Sequence, residues 1–159
     1  MTLTDDNATA RLQQLLDRQE VTDLVYRLGA CLDDGRFDDM RSLLVDEATV
    51  RTPGGIAEGL DALVAQARRN HTPDERVQHI ITNLLLDLHG DRGEVRANLV
   101  VPFASAAGDD QPAPAPPAHL ALGEIYRIDV VRTAAGWRLS RIEAVPVWMS
   151  GTLDRPTGA

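Results

Sequence analysis

The stretch Arg76-Val-Gln-His-Ile-Ile-Thr-Asn-Leu-Leu-Leu-Asp-Leu-His89 marks the point at which the chain changes character. It is rich in aliphatic residues and is bounded by turn signals, which predicts a β-strand. Its segment 80–88 is apolar on both faces, as expected when helices cover one face of a sheet and a cavity or a partner subunit covers the other. Further strands of this kind are predicted at 94–104, 119–133 and 136–149.

The chain before this stretch predicts helices. Residues 8–32 carry leucines from Leu12 to Leu32 at a spacing near 3.6 residues, with no interrupting proline. Shorter helices are expected over 37–44 and from Glu58 onward. Helices followed by antiparallel strands are typical of an α+β domain, and a long helix can pack into the concave face of a strongly curved sheet.

The length of 159 residues fits a single domain over 1–159. Within it, the segment 105–118 is rich in proline and alanine and is predicted to be a flexible loop. The ends, 1–9 and 151–159, are predicted to be disordered or flexible.

Composition narrows the function. The net charge is −8, and all 16 basic residues are arginine. The acidic balance argues against nucleic-acid and anionic-membrane partners, which need a concentrated basic surface. The absence of lysine excludes Schiff-base catalysis, a P-loop lysine and a lysine general base.

Cys31 is the only cysteine, so neither an intramolecular disulfide nor a cysteine metal cluster is expected. The chain begins without an apolar signal segment and contains no apolar run long enough for a membrane span. We therefore expect a cytoplasmic protein.

Two polar residues interrupt the apolar strand that opens the sheet. With a period of two, His79 and Asn83 share one face with aliphatic neighbours. A lone histidine in such a place is more often a hydrogen-bonded core residue than a catalyst. A carboxylate within reach would favour catalysis, because a His–Asp pair fixes the tautomer and raises the basicity of the ring.

The first predicted helix offers such a carboxylate. Tyr26 and Asp33 are two turns apart and face the same way, and the small residues Gly29 and Ala30 lie between them. This arrangement leaves room beside the helix. The alternative is that Asp33 only belongs to a solvated helix end.

Other candidate side chains lie on the later strands. Tyr126 and Arg132 share one face of the third long strand, although Arg132 is also suited to a surface salt bridge. Trp148 is a candidate for contact with a ligand, and core packing or a subunit contact is the alternative. Phe103, on the second long strand, completes the candidate substrate-binding set of Asn83, Tyr126, Trp148 and Phe103.

The sequence motifs of several common classes of enzyme are missing from the chain. The four histidines show no spacing typical of a metal site, and the chain has neither a nucleophile elbow nor a glycine-rich phosphate loop. Acid–base chemistry without metal or cofactor is what remains for an enzyme.

Three segments together resemble one family. Leu28-Gly-Ala-Cys-Leu-Asp33, Gln78-His-Ile-Ile-Thr-Asn83 and Gly123-Glu-Ile-Tyr-Arg-Ile-Asp129, followed by Gly136-Trp137, are similar to SnoaL-like proteins of the nuclear transport factor 2-like superfamily. The resemblance covers roughly residues 10–150. It implies a cone-shaped α+β barrel, in which a curved, mainly antiparallel sheet packs on three N-terminal helices around a central apolar pocket.

The pattern is most similar to the branch of scytalone dehydratase, bile-acid 7α-dehydratase and lindane dehydrochlorinase. That resemblance implies that His79 is the base, that Asp33 orients it, and that Tyr26 and Arg132 assist at the substrate or the leaving group. Two departures are visible. The chain lacks the pocket lysine of the dehydrochlorinase, and it has no counterpart for the second strand histidine of scytalone dehydratase.

We therefore expect a lyase or isomerase without a cofactor, acting on a small hydrophobic cyclic substrate, in a homodimer or homotrimer. A polyketide cyclase, an epoxide hydrolase or a non-catalytic ligand-binding subunit are the alternatives. A cavity of about 300 Å³ or more beside His79 would favour the enzyme.

Overall fold

The computed structural model describes residues 3–106 and 116–152. The chain begins with helices and continues with long strands, as predicted. The elements in chain order are α1 (Leu3–Asp33), a 3₁₀ helix (Phe37–Ser42), β1 (Leu44–Thr52), β2 (Gly55–Glu58), α2 (Leu60–Asn70), β3 (Glu75–Val77), β4 (Ile80–His89), β5 (Arg92–Ser105), β6 (Ala118–Thr133) and β7 (Gly136–Gly151).

The segments predicted to be flexible are only partly covered by this description. α1 begins at Leu3, so residues 3–9 are helical and not disordered as predicted. Most of the proline-rich segment, residues 107–115, lies outside the described residues, as do residues 1–2 and 153–159.

The strands form one seven-stranded mixed sheet. Its order is β2-β1-β7-β6-β5-β3, with β4 also paired to β5. All the pairs are antiparallel except β1 with β7, which is parallel. The sheet curls into a half-barrel around the N-terminal helices, which confirms the predicted α+β architecture.

The core lies between α1 and the concave face of the sheet. The helix contributes a stripe of buried aliphatic residues, and the inward positions of the long strands meet it. The three leucines Leu12, Leu15 and Leu16 belong to the predicted stripe but are exposed. Among the helices in 3–106 and 116–152, none combines the length and apolar character required to cross a bilayer.

The predicted strand over 76–89 is interrupted at Gln78 and His79. β3 and β4 both pair with the same edge of β5, and these two residues connect them. The backbone N–H of Gln78 still reaches the carbonyl of Pro102 at 3.4 Å. The amide of His79 makes no such bond to β5, so its hydrogen-bond partner comes from elsewhere in the fold.

A bulge displaces Asn83 from the predicted face. The pairing of β4 with β5 shifts between Thr82 and Leu85, and Asn83 has a φ of +54°. Beyond this bulge Leu84, not Leu85, lies on the inner side. Asn83 is exposed and does not lie on the face of His79, so the prediction that the two share one face is wrong.

Candidate active site

His79 and Asp33 meet at the junction of α1 and the sheet. Asp33 is the last residue of α1, and its Oδ1 lies 2.6 Å from Nδ1 of His79. The same carboxylate accepts the backbone N–H of His79, at 2.8 Å to Oδ1 and 3.1 Å to Oδ2. One side chain therefore holds both the ring and the main chain of this histidine.

This contact determines which nitrogen of the ring is basic. An ionised carboxylate only accepts hydrogen bonds, so Nδ1 of His79 carries the proton and donates a hydrogen bond to Asp33. Nε2 is then the nitrogen with the lone pair, and it makes no hydrogen bond within the described residues. The His79 side chain is 6% exposed and that of Asp33 is 26% exposed, so the ring is buried while the carboxylate remains in contact with solvent.

Gly29 allows the helix to approach the strand closely enough for this contact. A Cβ at Gly29 would lie 3.1 Å from Cδ1 of Ile81 and 3.4 Å from Cβ of His79. A larger side chain would push α1 away from the start of β4. The space that was predicted to remain open beside Gly29 is therefore filled by His79 and Ile81.

A second imidazole lies beside the first. The rings of His71 and His79 are 5.5 Å apart between centroids, and Nδ1 of His71 lies 2.8 Å from the carbonyl of Ala67. Since a carbonyl only accepts, Nδ1 of His71 is the donor and Nε2 has the lone pair. Burial lowers the pKa of His71, and this effect outweighs the hydrogen bond to the Ala67 carbonyl, which would raise it. The neutral ring is therefore favoured.

His71 also lines an interior cavity of about 60 Å³ between the helices and the sheet. This volume is smaller than the expected 300 Å³, because side chains fill most of the space inside the half-barrel. The wall is mainly apolar but includes the polar residues Thr52, Gln66, Asn70 and Tyr126 besides His71.

Glu124 is a buried carboxyl group on the inner side of β6. It is 7% exposed, and its Oε1 has no hydrogen-bond partner in the part of the chain that the structure describes. Burial raises the pKa of Glu124, and the charge of nearby His79 opposes that rise. Burial also raises the pKa of Tyr126, and the charges of Glu124 and Asp33 raise it further. The interior therefore favours neutral forms of both groups.

We expect Glu124→Gln to flatten the pH dependence of stability. Because burial raises its folded-state pKa above the ordinary value of 4.5, the native protein keeps a proton that the unfolded chain has released. The wild-type free energy of unfolding should therefore fall as the pH rises from 4.5 through the raised pKa, and the neutral glutamine should remove that loss. Urea unfolding between about pH 4.5 and pH 8 measures it.

The exposed Glu94→Gln is the matched control and should keep the wild-type slope. Equal pH slopes for wild type and Glu124→Gln would contradict the prediction.

The predicted substrate-binding residues separate into two groups. Tyr126 is buried and lines the cavity. Phe103 is half-buried against the core, although it is not part of the cavity wall. Trp148 packs over Gly123. The register aligns Trp148 with Gly123 and Gly123 with Val100 across three neighbouring strands. Val100 lies between the inward Leu99 and Val101, so this row of residues is on the outer face of the sheet.

Tyr26 and Arg132, the two residues expected to assist His79, make their contacts elsewhere or face solvent. The Tyr26 side chain projects from α1 and is 49% exposed. Arg132 lies at the far end of β6, where its guanidinium contacts Asp17 at 2.5 Å and Asp91 at 3.1 Å. It also stacks over the ring of Trp137 at 4.5 Å. The contacts of Arg132 anchor α1 to the sheet, and within the described residues neither side chain forms a hydrogen bond with His79 or Asp33.

The predicted site omits several polar residues of the interior, among them His71, Gln66 and Glu124. The sequence contained a signal for two of them. Glu124 shares the inward face of its strand with Tyr126 at a period of two, and His71 follows Ala67 by one helical turn on the apolar side of α2. Gln66 carried no such signal. Within the described ranges, no three histidine, cysteine or acidic side chains are grouped in a way that could hold a metal ion.

Comparisons with known proteins agree with this architecture. The sequence model of the SnoaL-like domain matches residues 13–143. No curated protein matches the chain. An NTF2-like protein with a cystatin-like fold from Novosphingobium aromaticivorans is 26% identical, with a TM-score of 0.71 over 98% of this chain and 93% of its own.

Two other solved structures are more distant in sequence. A hexachlorocyclohexane dehydrochlorinase is 17% identical, with a TM-score of 0.75 over 94% of this chain and 99% of its own. A protein from Novosphingobium aromaticivorans provisionally assigned as a scytalone dehydratase is 20% identical, with a TM-score of 0.70 over 92% of this chain and 96% of its own. At these identities the likeness shows the fold alone.

Proposed function

The chain belongs to the SnoaL-like domain family, and from that membership we propose a cofactor-independent lyase or isomerase in which His79 removes a proton from a small hydrophobic cyclic substrate. The observation that carries the proposal is the paired contact of Asp33 with both Nδ1 and the backbone N–H of His79. A carboxylate in this position orients a neutral imidazole and stabilises the imidazolium that forms when Nε2 takes a proton.

In the proposed reaction, Nε2 of His79 takes a proton from a ring carbon that an adjacent carbonyl group makes acidic. The electron pair of the broken C–H bond becomes the new double bond, and the leaving group departs from the neighbouring carbon with its own bonding pair. For a hydroxide leaving group, the imidazolium returns the proton and water is released. The proton balance closes on His79, so the elimination does not require Tyr26 or Arg132.

The reaction type takes support from the fold relatives, which include a dehydrochlorinase and a protein provisionally assigned as a dehydratase. The volume of the cavity supports a second candidate. Because about 60 Å³ is far less than the roughly 300 Å³ that would favour an enzyme, this volume counts against catalysis, and a non-catalytic ligand-binding protein is the alternative function.

Proton exchange tests the proposal without knowledge of the natural substrate. Cyclohexanone and 2-tetralone in D₂O should acquire deuterium beside the carbonyl faster with the protein than in buffer alone, with no added cofactor. Proton NMR follows the exchange. Binding of these ketones without exchange above the buffer rate would contradict the enzyme proposal and support the ligand-binding alternative.

A further inference from the structure

The cavity contains an amide that the protein leaves half satisfied. Gln66, on α2, is 3% exposed and lines the cavity. Its Nε2 donates to Oγ1 of Thr52 at 3.3 Å, and this oxygen also accepts the backbone N–H of Gly54 at 3.1 Å. Oε1 of Gln66 has no hydrogen-bond partner among the described residues.

Turning the amide over does not remove the unmet hydrogen bond. Thr52 would then donate its hydroxyl proton to Oε1 of Gln66, and Nε2 would be the atom without a partner. In either orientation one buried polar end of Gln66 remains without a hydrogen bond, which is unfavourable inside a protein. Such a cost is offset when a bound molecule or water supplies the missing bond.

Two other groups on the wall have free capacity for hydrogen bonds. The hydroxyl of Tyr126 makes no hydrogen bond within residues 3–106 and 116–152. Nε2 of His71 has its lone pair, because Nδ1 is the nitrogen bound to Ala67. The rest of the wall is mostly aliphatic and includes Leu28 and Ile142. An apolar cavity with a few polar groups is typical of a site that orients a ligand.

The charge of the site selects a neutral ligand group. The wall contains no arginine, and the buried His71 favours its neutral form. Burial raises the pKa of Tyr126, and the charge of Asp33, which raises it further, would also repel an anion there. A carboxylate or phosphate would therefore be buried without a counter-charge.

A hydroxyl group meets all these conditions. It can donate a hydrogen bond to Oε1 of Gln66 and accept one from the hydroxyl of Tyr126. If the amide is reversed, it can accept a hydrogen bond from Nε2 of Gln66 instead. We propose that the cavity is a subsite for a neutral ring hydroxyl, so that the ligand is a phenol or a cyclic alcohol. That this ligand is the substrate, with its reacting carbon towards His79, rests on the proposed function.

Phenol and toluene test the subsite, because they differ only in a hydroxyl and a methyl group of similar size. Isothermal titration calorimetry or ligand-observed NMR should show phenol binding to wild-type protein about tenfold more tightly than toluene, or ~1.4 kcal/mol. Gln66→Met and Tyr126→Phe should each reduce this preference. Tyr126→Phe keeps the ring and serves as the second test if Gln66→Met does not fold.

Equal affinities for phenol and toluene would overturn the subsite, as would a preference that survives in both folded variants. Lack of binding by either compound up to its solubility limit would also overturn it. His89→Ala should keep the preference, because His89 is exposed and is not part of the cavity wall. If phenol is preferred but the wild type exchanges no protons, the subsite stands and the proposed enzyme function fails.

Discussion

His79→Ala should slow deuterium exchange and any elimination by about 10²–10⁴-fold, the usual contribution of a general base. The substitution removes the Nε2 that takes the proton. Asp33→Asn should give a loss in the same direction. An asparagine oxygen could still accept a hydrogen bond from Nδ1 of His79, but the negative charge that stabilises the imidazolium would be gone. Rates are compared per folded molecule, with folding checked by circular dichroism.

A second His–Asp pair provides a matched control. At the other end of β4, Nε2 of His89 lies 2.9 Å from Oδ1 of Asp87, but the His89 side chain is 81% exposed. His89→Ala should retain the wild-type exchange rate, because a solvated pair lies outside the interior. A similar loss in His79→Ala and His89→Ala, or near wild-type exchange in His79→Ala, would contradict the dyad.

Gly29→Leu should lower activity by about 10²-fold, because it displaces the helix end that carries Asp33. Even the first carbon of a side chain at this position would lie 3.1 Å from Ile81, so a leucine cannot fit without moving α1 or β4. Overpacking of this kind should also reduce the free energy of unfolding by about 1–3 kcal/mol. Deuterium exchange and urea unfolding measure the two effects.

Ala30→Leu adds the same side chain one residue further along α1, where the position is exposed. It should change stability by only about 0.5 kcal/mol and leave the exchange rate unchanged. If Gly29→Leu behaves like Ala30→Leu, close packing at Gly29 is not what holds the dyad together.

The order of helices and strands could be predicted from the sequence, because long amphipathic and apolar segments show their period directly. The pairing of Asp33 with His79 was implied by the family resemblance, whereas the small residues on the helix face predicted only open space beside the helix. What the period could not show was its interruption. The break at Gln78 and His79 and the bulge at Asn83 each depend on pairing with β5, a contact distant in sequence.

Arg132 shows a different limit of pattern reasoning. Arg132 lies on the same strand face as Tyr126, as the period of two predicts, but the two residues are six positions apart. That is about 20 Å along an extended strand. A shared face therefore does not imply a shared site. The ion pair with Asp17 could not be predicted from the sequence alone, since the two residues are 115 positions apart.

The carboxylate of Asp33 ties the orientation of the proposed base to the docking of a single helix. Neither the ring nor the amide of His79 is held by the sheet alone, since its hydrogen bonds end on α1. Each excursion of the C-terminal turn of α1 from β4 would therefore release the main chain and the side chain of His79 together. The fraction of time that the base is correctly oriented then equals the fraction of time that this helix end remains seated.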